Sequence, residues 1–186
     1  MRKLLSALLY TALIGVANPA AADMSDIENL RKGDMRKLIF HSEPWDGSDA
    51  AFLSEDGDEM TLAAYEGQFV VLNFWATWCA PCRTEMPDLA ELQAEMGGES
   101  MQVVTVATGR NPRPAMERFF DEIGVENLPL HSDERQTLSR SLGVLGLPAT
   151  IILDPNGKEL ARMQGEADWS SDSAMAIMRA LIAQSI

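Results

Sequence analysis

The feature that most constrains the fold is a pair of cysteines placed between a buried strand and a helix. Residues Phe69–Trp75 read Phe-Val-Val-Leu-Asn-Phe-Trp, an apolar run typical of a central strand buried on both faces. The motif Cys79-Ala80-Pro81-Cys82 follows, and apolar residues at helical spacing continue from it to Gly97. The sequence therefore predicts an α/β chain with two thiols where a central strand gives way to a helix.

The rest of the chain supplies further alternating elements. Two short segments, 51–54 and 59–62, flank the turn signal at 55–58 and predict a β-hairpin. Strands are predicted at 103–107, 128–131, 150–153 and 159–163, and helices beginning near Pro114, Asp133 and Ser171. Strands and helices alternate first, and a hairpin with a helix closes the chain, which implies a mixed sheet covered by helices on both faces.

The first 22 residues have the pattern of a secretory signal. Arg2 and Lys3 precede an apolar stretch, and Ala20-Ala21-Ala22 offers a small-residue cleavage site. Cleavage predicts a periplasmic protein, and the alternative is an uncleaved leader that tethers the chain to the inner membrane. We expect a polar surface segment at 23–48 and one globular domain at 49–186.

The charge of the chain argues against nucleic acid as a partner. The net charge is −13, and loss of the leader with its two basic residues brings it to −15. A polyanionic nucleic acid is repelled by such a surface. We therefore expect protein partners rather than nucleic acid. The chain is also expected to be a monomer.

The C-x-x-C pair can be read as a structural disulfide or as a reactive one. A bridge over two intervening residues removes little entropy from the unfolded chain, which argues against a structural staple. At a helix N-terminus, unpaired backbone N–H groups and the helix dipole stabilise a thiolate. Cys79 is therefore predicted to attack a substrate, and Cys82, one turn later, to resolve the product by closing the Cys79–Cys82 disulfide.

The residues within and around the C-x-x-C motif favour thiol chemistry over a metal site or a haem site. Pro81 suits the first helical turn, where a missing N–H is tolerated, and Ala80 offers no polar group. Zinc would need further ligands, but there is no second cysteine pair and only two histidines, both distant in sequence. Covalent haem attachment requires a histidine after Cys82, where Arg83 stands. We predict neither a metal nor a cofactor.

Two longer motifs resemble a known family. The first runs from Asn73 to Pro87, Asn-Phe-Trp-Ala-Thr-Trp-Cys-Ala-Pro-Cys-Arg-Thr-Glu-Met-Pro, and the second from Gly146 to Asp154, Gly-Leu-Pro-Ala-Thr-Ile-Ile-Leu-Asp. Together they resemble the TlpA/ResA-like branch of the thioredoxin superfamily, over residues 52–184. The resemblance implies a thioredoxin-like three-layer fold with an insertion in the middle of the domain, at 110–130.

The resemblance also implies roles for individual residues. Pro148 would be a cis-proline opposite the two sulfurs and would, with Leu147, present backbone to the substrate. Asn73 stands where plain thioredoxins carry a buried Asp, and Asn cannot accept a proton. Glu85 matches a Glu that would handle the proton instead. The alternative interpretation of Glu85 is a solvated charge on the helix surface.

The two tryptophans near the motif are expected to differ. Trp78, directly before Cys79, is predicted to cover the site and contact substrate, whereas Trp75 ends a buried strand and is predicted to be core. Asn73, Ala80 and Pro81 would support the active site.

Three functions use these thiols. The leading one is an exported reductase of client disulfides, and the alternatives are an oxidase with reversed electron flow and a Cu(I)-binding chaperone. The resemblance implies apocytochrome c or a copper-oxidase assembly factor as the client. It also implies a membrane thiol donor of the DsbD or CcdA type.

Overall fold

Eight strands form one mixed sheet within residues 24–184, the part of the chain that the computed structural model describes. The strands are β1 (Ile39–Trp45), β2 (Phe52–Leu53), β3 (Glu59–Met60), β4 (Phe69–Trp75), β5 (Met101–Thr108), β6 (His131–Asp133), β7 (Ala149–Leu153) and β8 (Glu159–Gln164). The helices are α1 (Met24–Glu28), α2 (Ala80–Met96), α3 (Arg113–Ile123), α4 (Thr137–Ser141) and α5 (Asp172–Ala183). The predicted signal at 1–22 lies outside the described residues.

The order of strands across the sheet is β1-β8-β7-β4-β5-β6-β2-β3. Strands β4, β5 and β6 run parallel, while β7, β8 and β1 are added antiparallel on one side and β2 and β3 on the other. The carboxyl ends of β4, β5 and β6 therefore meet at one edge of the sheet. The predicted mixed sheet and the predicted hairpin, formed by β2 and β3, are confirmed.

Strand β4 lies in the middle of the sheet, and all seven of its residues are buried. Successive side chains point to opposite faces. Val71 and Trp75 join the core formed with α2, α3 and α5, whereas Leu72 and Phe74 join the core on the α4 face. Because Asn73 lies between Val71 and Trp75 in this alternation, its side chain points toward α2.

The amino-terminal segment differs from the expected surface segment. Residues 39–45 form β1, which pairs with β8 and extends the sheet to its edge. Glu159 is buried on β8, accepts a 2.7 Å hydrogen bond from His41 on β1 and pairs with Arg162. The sequence did not predict this strand because an edge strand with one exposed side carries little apolar alternation, and residues 41–44 are mostly polar.

Helix α4 also begins differently from the prediction. The spacing of Asp133 and Gln136 predicted a helix start at Asp133, but α4 begins at Thr137 with Gln136 as its cap, in the left-handed region at φ 57°. Asp133 instead ends β6, and its carboxylate accepts from the backbone N–H groups of Thr137 at 2.7 Å and Ser139 at 2.8 Å. The aspartate therefore caps α4 from the preceding strand.

Candidate active site

The two cysteines lie at the start of α2 and form a disulfide bond. Cys79 is the N-cap residue, and its sulfur accepts a hydrogen bond from the backbone N–H of Cys82 at 3.3 Å. Cys79 retains 6% exposure, whereas Cys82 is fully buried. The two sulfurs are therefore not equivalent: an incoming group reaches Cys79 first, and Cys79 has the helix N-terminus beside it.

Ala80 and Pro81 form the first turn of α2 between the cysteines. Pro81 occupies a position where no backbone donor is needed, so the helix begins without loss of a hydrogen bond. The first intrahelical bond runs from the N–H of Arg83 to the carbonyl of Cys79 at 3.2 Å. These two residues therefore give the thiols a regular helical start.

Glu85 lies one turn after Cys82 and is buried, with 1% of its surface exposed. Its Oε1 accepts from Asn73 Nδ2 at 2.8 Å, and its Oε2 accepts from the backbone N–H of Ala167 at 3.2 Å. Asn73 Nδ2 also donates to Thr150 Oγ1 at 2.9 Å on the adjacent strand β7. The structure therefore places Glu85 inside the protein beside Asn73, which contradicts its alternative interpretation as a solvated surface charge.

Burial dominates the electrostatics of Glu85. Loss of solvent raises the pKa of its carboxyl group from 4.5 to about 7, against the lowering effect of the hydrogen bonds from Asn73 and Ala167. The neighbouring Trp169 indole lowers this pKa as well, although its Nε1 makes no well-formed hydrogen bond to a described residue, and the charge of Glu166 raises it. Asn73 is neutral and supplies no compensating charge. Glu85 can therefore take up or release a proton near neutral pH.

Pro148 lies at the same edge of the sheet as the disulfide. Ala149 pairs with Phe74, so the residue before it stands beside the end of β4, from which the chain continues to Cys79. The Leu147–Pro148 peptide bond is cis. The carbonyl of Pro148 accepts from Gly165 N at 2.9 Å and from Gln164 Nε2 at 3.1 Å, which fixes the backbone at this turn.

The apolar residues near the disulfide fall into two groups. Trp75 is fully buried against Phe119 and Phe120, with ring centroids 4.8 and 5.2 Å away. Trp78 exposes 70% of its surface, and Leu145, in the loop before Pro148, exposes 96%. The different surroundings predicted for Trp75 and Trp78 are observed, and the loops around the disulfide present apolar surface to solvent.

Several residues of the site were not found from the sequence. Ala167, Trp169 and Thr150 line the surroundings of Glu85 and Asn73, and the contact between Glu85 and Ala167 joins positions 82 residues apart. No motif or periodicity marks such a contact, because it depends on how α2 lies against the segment after β8. Spacing along the helix predicted only that Glu85 shares a side with Cys82.

No group of three or more potential metal ligands lies together among residues 24–184. His41 is bonded to Glu159, and His131 Nε2 to the Tyr65 hydroxyl at 2.8 Å. No helix in the same range is long and apolar enough to cross a membrane.

Comparison with known proteins places this site in a family. The model of the AhpC/TSA family matches residues 47–158, more than half of the chain. The chain belongs to this family. It is similar to the thiol-disulfide oxidoreductase ResA of Bacillus subtilis, with 33% identity over 123 residues, 64% of this chain and 68% of that protein. The resemblance to TlpA/ResA-like proteins is thereby confirmed.

Two further relatives support the same assignment. ResA of Geobacillus thermodenitrificans is 36% identical over 103 residues, which cover 55% of this chain and 58% of that protein, so the match spans less than two thirds of its length. A solved structure from Chlorobium tepidum, a candidate thiol:disulfide interchange protein DsbE, superposes with a TM-score of 0.65 at 28% identity. It covers 75% of this chain and 98% of that structure, which confirms the thioredoxin-like fold.

Proposed function

We propose that this protein is an exported thiol-disulfide oxidoreductase that reduces disulfide bonds in client proteins. The observation that carries the proposal is the Cys79–Cys82 disulfide at the first turn of α2, with the buried Glu85 one turn further along. The names of the relatives, thiol-disulfide oxidoreductase and thiol:disulfide interchange protein, support the same chemistry.

The cycle begins with the reduced dithiol. The Cys79 thiolate attacks one sulfur of a client disulfide, a new Cys79–client disulfide forms, and the other client sulfur leaves as a thiolate. The helix N-terminus that meets the Cys79 sulfur favours its ionised form. The 6% exposure of Cys79 gives the client sulfur access to this thiol rather than to Cys82.

The second step releases the client. Cys82 loses its proton, attacks the Cys79 sulfur, and the client departs with a free thiolate while the Cys79–Cys82 disulfide closes. Glu85 is our candidate for the proton acceptor, because its pKa of about 7 lets an ionised fraction exist at neutral pH. Two electrons have then passed from the dithiol to the client, and a membrane thiol donor of the DsbD or CcdA type would restore the dithiol.

The substrate surface is proposed from position and exposure. Trp78 offers an exposed aromatic face next to Cys79, and the cis Leu147–Pro148 bond lies at the same edge of the sheet. A client segment would contact both while its sulfur is joined to Cys79. Apocytochrome c and a copper-oxidase assembly factor are the clients that the family resemblance supports, and the leader pattern at 1–22 supports export to the periplasm.

Trapping of the client tests the proposal. A Cys82→Ser variant cannot resolve the mixed disulfide, so a client should remain attached through Cys79 and be released by a reductant. The matched control is Cys79→Ser, which should trap nothing. Wild-type protein should reduce insulin, and its reduction potential should lie nearer to about −270 mV than to about −120 mV. A potential near the second value would instead favour the oxidase function.

A further inference from the structure

A chain of buried and part-buried hydrogen bonds joins the carboxyl ends of the three parallel strands. Thr77 follows β4, Asn111 follows β5, and Asp133 ends β6. Thr77 belongs to the first family motif, whereas Asn111 and Asp133 lie outside both motifs. The bonds between them lead from residues 76–79, which we call the cysteine loop, to the start of α4. They therefore connect the cysteine loop to the rest of this sheet edge.

Asn111 is the link that touches the cysteine loop. It exposes 8% of its surface, and its Oδ1 accepts from Thr77 N at 2.8 Å and from Thr77 Oγ1 at 3.0 Å. Its Nδ2 donates to the carbonyl of Thr108 at 2.9 Å. The amide therefore uses both its acceptor and its donor to join the loop before Cys79 to the end of β5.

Thr108, which Asn111 contacts at the end of β5, is itself hydrogen-bonded to its neighbours. Thr108 Oγ1 lies 2.8 Å from Ser139 Oγ, and the N–H of Ser139 donates to Asp133 Oδ2 at 2.8 Å. Thr108, Ser139 and Asp133 each expose 3% of their surface. Asn111 thus connects the cysteine loop to buried groups on β5, β6 and α4 rather than to a solvated loop.

Thr77 stands two residues before Cys79, and the turn between them is short. The N–H of Cys79 donates to the carbonyl of Ala76 at 3.0 Å, which holds the turn from within. The bonds from Thr77 to Asn111 hold it from outside. The place of the Cys79 sulfur at the N-cap of α2 depends on this turn, because the N-cap residue must leave the helix with extended backbone geometry.

We propose that Asn111 is a positioning residue for Cys79: through Thr77 it holds the turn that keeps the Cys79 sulfur at the helix N-terminus, where its thiolate is stabilised. The inference rests on the proposed function in that it takes Cys79 as the attacking thiol. It concerns the thiol itself and not a client.

The test measures Cys79 alone. In a Cys82→Ser background, reduced full-length protein is alkylated with iodoacetamide from pH 5 to pH 10, with and without Asn111→Ala. The variant loses both bonds from Thr77 and should react more slowly at pH 7 by roughly threefold to tenfold, a range that corresponds to the net contribution of a single hydrogen bond. At pH 10 the thiol is ionised in both, so the variant should no longer react more slowly than the parent protein. Amide hydrogen exchange at Thr77 should be faster in the variant.

Three further variants make the result specific. Asn111→Asp keeps the oxygens that accept from Thr77 and should restore protection of the Thr77 amide. Asn127→Ala removes a bond of similar kind, from Asn127 to the carbonyl of Ala90 at 2.8 Å, and should leave the alkylation profile unchanged. If Asn111→Ala does not fold, Thr77→Val removes only the hydroxyl bond and should give a smaller shift in the same direction.

Two outcomes would overturn the proposal. In the first, Asn111→Ala lowers the free energy of unfolding but leaves the alkylation profile of Cys79 as it was. In the second, the rates at pH 7 and pH 10 fall equally, which would show a change in access rather than in ionisation. Failure of the wild-type protein to reduce insulin would overturn the reductase function instead, and alkylation would remain readable because it needs no client.

Discussion

Replacement of Glu85 by Gln should remove a defined part of the pH dependence of stability. The pKa of Glu85 is raised by burial from 4.5 to about 7 in the folded protein. Between these two values the folded state holds a proton that the unfolded state has lost. The contribution of Glu85 to stability is therefore greatest below about pH 4.5 and falls as the pH rises toward 7. Above about pH 7 this contribution changes no further.

The magnitude follows from the size of the shift. One pKa unit corresponds to about 1.4 kcal/mol, so between pH 5 and pH 8 this carboxyl group should lower the free energy of unfolding by about 2–3 kcal/mol. Glu85→Gln abolishes this contribution. Its amide also places a donor against the N–H of Ala167, at a cost of about 1–3 kcal/mol, but that cost is the same at every pH.

Urea denaturation of the oxidised protein at pH 5 and pH 8 measures the effect, since the disulfide removes thiol titration from the comparison. In wild type, Glu85 should make the free energy of unfolding about 2–3 kcal/mol lower at pH 8 than at pH 5. In Glu85→Gln this part of the pH dependence should be absent. Glu95→Gln, at an exposed position of the same helix, is the control and should behave as wild type. Equal pH dependence in Glu85→Gln and wild type would refute the reasoning.

Three other substitutions have expected effects. Trp75→Ala should cost about 3–5 kcal/mol in urea denaturation, because the indole is buried against two phenylalanine rings, and a cost below about 1 kcal/mol would contradict that packing. Trp78→Ala should leave stability within about 0.5 kcal/mol but raise the KM for insulin roughly fivefold; an unchanged KM would remove this residue from the substrate surface. Asp133→Ala should cost about 1–3 kcal/mol in the same denaturation assay by freeing two backbone N–H groups of α4, and no loss would show that these groups find other partners.

The sequence predicted best those structural features that a local pattern of residues determines. The apolar run of β4, in which six of the seven residues are apolar, and the C-x-x-C with its proline predicted a buried strand and a helix start, and both are observed. Gly124 ends α3 at φ 70°, a conformation that glycine adopts without strain and that makes it a common residue just after a helix. In each of these cases the physical cause lies within a few residues of the effect.

The sequence predicted less where the cause is distant. The surroundings of Glu85 combine side chains from α2 and β4 with a backbone N–H after β8, and only the fold brings these together. Strand β1 was missed because its one pairing partner, β8, is about 120 residues away and its outer side faces solvent. Asn111 shows the same limit, since nothing in its own neighbourhood marks it as a partner of Thr77.

The structure gives each sulfur its own support, and this separation bears on how the two steps of the cycle can be tuned. Cys79 depends on the turn held by Asn111 and on the N-terminus of α2. Cys82 lies one helical turn before the buried Glu85. Asn111 and Glu85 have no bonding partner in common. Because sites without shared partners tend to act additively, Asn111→Ala should slow attack on the client without changing resolution, and Glu85→Gln should do the reverse. A non-additive double variant, measured by single-turnover insulin reduction, would show that the two supports are coupled through the helix.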